Sequence, residues 1–236
     1  MMFDTLLLSL AVAVQAVPPQ ATQLPPPPPA VPAPVTAPVE VDARPYVELV
    51  TDAGKMVVRL ETKRAPITTA NFLRYVDSKR MATAFKFYRT TRSWGEGNKL
   101  IQAGNRGDPR TNFPPIAHEP TTKTGLTNCD GALVMAHLRP GDATTDFFLL
   151  LSDIKGFDAD APGGDGAGFA VFGEIASGRD VAEKIFAMPV SETAGEGVMR
   201  GQILDPAVTI LSARRVPAPA DAPKGCVVKA PPVPAP

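Results

Sequence analysis

Apolar and polar residues alternate over positions 46–51 and again over 55–60, with Asp52-Ala53-Gly54 between them. Alternation at period two marks half-buried strands, and a short turn carrying Gly joins them as a hairpin. Ala65-Pro66 then opens a helix with Pro at its first position, where a backbone N–H would have no partner anyway. Ile67, Ala70, Leu73 and the Phe72/Val76 pair give that helix an apolar face to about Asp77, and we read them as core. Phe85, Phe87 and Arg89 share one parity of the next strand, and Ala84, Lys86 and Tyr88 share the other. Leu100-Ile101 begins a further strand that Gly104 ends, so Arg89 and Gln102 stand at the edges of two apolar strands joined by a loop.

Residues 105–130 are rich in Pro, Thr, Gly and Asn and read as irregular. Apolar strands follow at 132–136 and 147–151, separated by a polar loop over 137–146. A Gly/Asp/Ala loop over 156–168 precedes a strand at 169–175. Gly178-Arg179-Asp180 leads into a second helix with Val181, Ile185 and Met188 on one face, and 207–213 alternates as a last strand. The total is seven or eight short strands with one early and one late helix. Strands and helices do not alternate regularly, which argues against a parallel doubly wound sheet. A mainly β fold suits this order: a closed or nearly closed antiparallel sheet whose open ends are plugged by the helices, leaving no exposed edge.

Composition then divides the chain. The 27 prolines concentrate at its two ends, with five in a row at Pro25 to Pro29. Residues 1–16 read as a signal peptide: the apolar run over 5–17 is too short for a membrane span of about 20 residues and exits at Val14-Gln15-Ala16, although no Lys or Arg precedes it. Residues 17–43 read as a Pro-rich linker in extended polyproline II, a stiff spacer. Residues 44–216 form one globular domain, and 217–236 a Pro/Ala-rich C-terminal tail. The formal net charge of zero points to no nucleic acid and no anionic membrane surface. Cys129 and Cys226 leave two readings open: a disulfide in an oxidising compartment, or two free thiols.

Reactive constellations are few. His118 and His137 have no zinc-like spacing to each other or to either Cys. Ser93, Ser152 and Ser191 lack a Gly-x-Ser-x-Gly context. Asp158, Asp160 and Asp165 lie in a Gly-rich loop, but Pro162 and Gly163 stand where a calcium loop needs Asn/Asp and Gly. The glycines at 163–168 precede a strand instead of following one, unlike a nucleotide loop. Hydrolysis, metal chemistry and nucleotide chemistry therefore lack support. An Arg at a strand end, on its own, reads as a solvated charge.

Several segments together change that. Ala65-Pro66-x-x-x-x-Asn71-Phe72-Leu73, Phe87-Tyr88-Arg89, Ile101-Gln102-Ala103-Gly104, Gly131-Ala132-Leu133-x-Met135-Ala136, Phe147-Phe148 and Val171-Phe172-Gly173-Glu174-Ile175 occur in the order found in cyclophilins. Gly178-Arg179-Asp180-Val181-x-x-Lys184-Ile185 continues the series. The domain resembles a cyclophilin-type peptidyl-prolyl cis-trans isomerase. The resemblance implies a closed eight-stranded antiparallel barrel capped by two helices, with a shallow outer groove for proline-containing peptides. It implies that Arg89 is catalytic and that Phe87, Leu100, Gln102, Ala136, His137, Phe148 and Phe157 bind substrate. It implies no cofactor and no metal: rotation about a prolyl amide needs its twisted state stabilised, and a guanidinium aimed at the amide nitrogen does that.

The chain departs from the family pattern around the groove. Tyr88 replaces the His of Phe-His-Arg, and the loop from Arg89 to Gln102 is longer by about five residues by alignment to the family motif. Lys99 stands where the family has a pocket Phe, and Trp94 in the enlarged loop is a candidate replacement. Asp146 replaces a Gln, Gly156-Phe157 an aromatic-Leu pair, and Phe169 a His or Tyr. The family's indole at the Gly156 position helps hold cyclosporin, so weak cyclosporin binding is implied. The resulting expectation is an exported, periplasmic, monomeric isomerase that assists folding of proline-containing polypeptide clients, without a stable membrane span. A second reading is a non-catalytic peptide-binding or scaffold module. A third makes the Pro-rich arms the functional part and the barrel a spacer.

Overall fold

The computed structural model describes residues 44–91, 97–106 and 108–229. The expected signal at 1–16, the linker at 17–43, Trp94 and the end of the tail lie outside the described residues. The predicted hairpin is β1 (Tyr46–Thr51) and β2 (Gly54–Leu60). It is followed by α1 (Pro66–Asp77), α2 (Arg80–Ala84), β3 (Lys86–Thr90) and β4 (Leu100–Gly104). Next come α3 (Thr121–Thr124), β5 (Ala132–Met135), β6 (Phe147–Leu150) and β7 (Ala170–Ser177). The series ends with α4 (Arg179–Ala187), β8 (Val190–Ser191) and β9 (Ile203–Val216).

Every strand pairing is antiparallel. The order β1-β2-β7-β5-β6-β4-β3-β9 closes on itself through a β1–β9 pairing, giving an eight-stranded barrel to which the two-residue β8 adds beside β9. β9 starts at Ile203, earlier than its alternation signals, because its first residues pair with β8 and β3. The residues before β3 turn as a short helix instead of extending, entered through Lys79 at a left-handed φ of 60°.

The interior follows from register. Ala103 faces Phe147 and Phe87, while Ile101 and Leu133 both face Leu149. These residues are at most 1% exposed. Phe72 of α1 enters the same interior, edge-on to Phe147 at 5.5 Å between ring centres and 5.4 Å from Phe172. Ile185 and Ala182 bring α4 into that core. The first turn of α1 has no side-chain cap of its own. Glu119, buried and distant in sequence, accepts hydrogen bonds from the Ile67 and Thr68 N–H groups at 3.2 and 2.8 Å. A carboxylate there satisfies orphan donors and suits the positive end of the helix dipole.

Beyond β9 the chain doubles back along the barrel. Cys226 forms a disulfide with Cys129, Val227 is fully buried, and Val228 bridges Leu126. The segment covers a buried ion pair between Arg59 and Glu174. Arg59 also donates to the carbonyls of Pro223 and Lys224 at 2.9 and 2.8 Å, and the Cys226 N–H donates to Glu174 at 3.0 Å. A buried pair needs such further bonds to offset the loss of hydration.

Candidate active site

Strict alternation would put Phe87 and Arg89 on the same face of β3. The structure separates them with a β-bulge. Phe87 pairs with Ala103 and Arg89 with the adjacent Gln102, so Tyr88 is the extra residue. Phe87 therefore points into the barrel, fully buried and 6.1 Å from the Phe147 ring. Of the expected substrate-binding residues, Phe87 is the one placed in the interior instead of on the outer wall.

Arg89 turns outward. Gln102 pairs with Arg89 on one side and with Phe148 on the other, so the three residues lie in a row across β3, β4 and β6. Leu100, two residues before Gln102, shares its face. Arg89 is half-buried, and its guanidinium donates twice to neutral amides. Nη1 bonds Gln102 Oε1 at 3.0 Å, and Nε bonds Gln202 Oε1 at 2.9 Å. No carboxylate lies within ion-pair distance of Arg89 among the described residues. Burial pulls its pKa below the ordinary value, with nearby Tyr88 opposing that shift, but an Arg so placed remains a cation at neutral pH. With Oε1 of Gln102 committed to Arg89, its Nε2 hydrogens are the donors left for a peptide carbonyl.

Beside this row lies an aromatic cluster. Phe157 is 4.6 Å from Phe169 and 6.1 Å from Phe148, and Phe148 is 5.6 Å from Phe169. His137 stacks on Phe169 at 4.8 Å and hydrogen-bonds Gly168 O through Nε2 at 2.9 Å. His118 makes the same kind of bond to Ala167 O, also at 2.9 Å, so both rings fasten one stretch of backbone. Gly168, at φ 57°, is required here because a Cβ would come within 2.4 Å of Phe157 O. Ala136 joins the same wall, its N–H donating to Asp146 O at 2.9 Å. Leu100, Gln102, Phe148 and Phe157 are all under 8% exposed, so the surface is a shallow apolar floor edged by polar groups. A cleft of about 460 Å³ lies elsewhere, beside Lys155, Asp160 and Lys229.

Asp146 borders the row through Tyr88, whose hydroxyl donates to Oδ1 at 3.2 Å. Burial raises the Asp146 carboxyl to about 6, against the lowering effect of bonds from Tyr88, Thr145 and the Arg106 backbone. Burial and the neighbouring carboxylate likewise push the Tyr88 phenol up. Lys99 is exposed, with Nζ 6.0 Å from the Phe186 ring and its N–H bonded to Ser152. Among the described residues no group of three or more His, Cys, Asp or Glu is arranged to hold a metal ion. Nor is any described helix long and apolar enough to cross a membrane. Gln202 and Glu119 have no signal in the sequence. Each is a lone polar residue whose partner is distant along the chain.

Residues 46–214 match the family described as cyclophilin type peptidyl-prolyl cis-trans isomerase/CLD. A peptidyl-prolyl cis-trans isomerase of Acinetobacter baylyi is 32% identical over 153 residues, which are 63% of this chain and 76% of that one. One from Streptomyces antibioticus is 31% identical over 63% of this chain and 87% of its own length. Among solved structures, a Cryptosporidium parvum isomerase of the same type superposes with a TM-score of 0.57 at 18% identity, covering 75% of this chain and 99% of that one. A second structure of the parasite protein was determined in the presence of the dipeptide Ala-Pro.

Proposed function

The chain belongs to the cyclophilin family and is a peptidyl-prolyl cis-trans isomerase, and on that premise we propose that it turns prolyl bonds of exported polypeptides at the surface built around Arg89. One observation carries the reading: a half-buried guanidinium on the outer wall, oriented by two neutral amides and without a carboxylate partner among the described residues. The barrier to amide rotation is about 18–20 kcal/mol, set by resonance between nitrogen and carbonyl. At the twisted state that resonance is lost and the nitrogen lone pair becomes an acceptor. A donor fixed in advance at that position stabilises the twisted state more than either planar one. Phe148, Phe157 and Leu100 supply the apolar floor for the proline ring, and Gln102, Ala136 and His137 flank it with polar and backbone groups. No bond is made or broken, so Arg89 neither gains nor loses a proton.

Two features support the export half of the proposal: the apolar leader, and the Cys129–Cys226 bond, which persists in oxidising compartments. The test is the isomerisation rate of a prolyl tetrapeptide, followed by exchange NMR, for the wild type and Arg89→Ala. Loss of one oriented donor typically costs about 10²–10³ in rate. Because Arg89 is half-buried and its loss leaves the Gln102 and Gln202 acceptors without their donor, the variant should lose about 1–3 kcal/mol in urea unfolding and still be folded. Unchanged turnover would remove Arg89 from the mechanism. Fractionation of cells expressing the full chain should recover it from the periplasm, and a cytoplasmic pool with free thiols would refute export.

A further inference from the structure

Gln202 stands directly before β9, is 4% exposed, and is locked in place by its backbone. Its carbonyl accepts from the Thr90 N–H at 2.9 Å, and its own N–H donates to Met199 O at 3.1 Å. Thr90 follows Arg89 on β3, so the same ladder that carries Arg89 fixes Gln202. Its side-chain Oε1 then accepts from Arg89 Nε at 2.9 Å. Gln102 reaches the guanidinium from β4, on the other side of β3. The cation is thus held between two strands flanking its own, and both acceptors are uncharged.

We propose that Gln202 is a positioning residue for the isomerase reaction: it fixes the Arg89 guanidinium through Nε with a neutral acceptor, so that orientation is set without cancelling the charge. The inference rests on the role given to Arg89. Its physical content lies in the difference between Gln and Glu. Either side chain can reach Nε and hold the fork. A carboxylate would also form an ion pair in a partly water-excluded place, where charges interact more strongly than in bulk water. The Arg89 field reaching a twisted amide would then be largely neutralised, and the guanidinium would be drawn towards β9.

Gln202→Glu and Gln202→Met separate these effects, with Arg89→Ala alongside. In Gln202→Glu, kcat/KM at pH 8 should fall about tenfold or more, mostly in kcat, since the lost interaction belongs to the transition state. Divided by the wild type at each pH, that loss should shrink as the pH drops and the new carboxyl protonates. The division removes titrations common to both proteins, that of Asp146 among them. Gln202→Met keeps length but no strong acceptor, and should lose several-fold in kcat at every pH, about threefold to tenfold. Urea unfolding of each variant establishes that it is folded. Gln202→Glu at wild-type kcat/KM at pH 8, or a variant-to-wild-type ratio independent of pH, would overturn the proposal. If Arg89→Ala is itself fully active, the role of Arg89 fails first. If Arg89→Ala is inactive while both Gln202 variants match the wild type, only the present inference fails.

Discussion

Asp146→Asn tests the electrostatics beside the Arg89 row. The carboxyl stands at about 6, against an ordinary value of 3.8. Between those two values the folded protein holds a proton on Asp146 that the unfolded chain has released. Stability therefore falls as the pH rises through that window and is level above about 6, where the full penalty is present. At about 1.4 kcal/mol per pH unit the ceiling is roughly 3 kcal/mol. Asp146 is only half-buried, so water relieves part of this, and we expect about 1–2 kcal/mol.

Asn removes the charge and keeps the contacts with Tyr88 and Thr145. Its Oδ1 still accepts from Tyr88, and its amide can donate to the Thr145 hydroxyl, which already donates to Asn105 at 2.8 Å. The variant should match the wild type near pH 4 and exceed it by about 1–2 kcal/mol at pH 7. Urea melts of both proteins at half-unit steps from pH 4 to 8 measure this, and other titrating groups such as the buried Glu61 cancel in the difference. With the Tyr88 bond intact, turnover at pH 7 should stay within about twofold of the wild type. A difference that does not vary with pH, or an Asn variant weaker at pH 7, would refute the assignment of burial as the cause of the raised carboxyl.

Two further outcomes are expected. The Cys129–Cys226 bond spans 97 residues, and the chain-entropy model gives a loop of that length about 4–5 kcal/mol, so Cys129→Ala/Cys226→Ala should lower the urea-derived stability by that order; a loss below about 1 kcal/mol would mean the segment is held by its other contacts. At Gly156 an added Cβ meets nothing within 4 Å, so Gly156→Trp should fold with a stability change within about 0.5 kcal/mol and gain cyclosporin affinity by calorimetry, whereas unchanged affinity would show that the wall position is elsewhere.

The barrel was largely legible because period-two patterning depends on each strand alone. β1 and β2 bury Val47, Leu49, Met56 and Val58 as their alternation requires. The bulge at Tyr88 was not legible. A bulge is a mismatch between two strands, and nothing in Phe87-Tyr88-Arg89 says that Gln102 will skip a partner. Counting parity places Phe87 and Arg89 on one face of the strand, whereas the bulge sends them to opposite faces. Gln202, Glu119 and Asp158 escaped for a related reason. Each is a polar side chain under 6% exposed whose burial depends on distant donors: Arg89 for Gln202, the α1 amides for Glu119, and Thr127 with Asn128 for Asp158. Read alone, such residues belong to solvent. Composition marks 217–236 only as a Pro/Ala-rich tail and leaves the pairing of Cys129 and Cys226 open, and the structure ties the tail to the barrel through that disulfide and the buried Val227.

The bulge also links residues that composition would never group. Gly104 ends β4 beside Asp146, and a Cβ there would lie 1.8 Å from Asp146 Oδ1. A side chain at 104 would displace the carboxylate from the place where it accepts the Tyr88 hydroxyl. Tyr88 is the extra residue that turns Arg89 from the interior to the outer wall. The requirement for Gly at the end of one strand, for a partly buried acid before another, and for an outward guanidinium on a third is thus one steric and electrostatic chain. The acid at 146 has a place in that chain irrespective of any contact with substrate. It anchors the bulge at a cost in stability above pH 6, a cost that an uncharged acceptor of the same size would not carry.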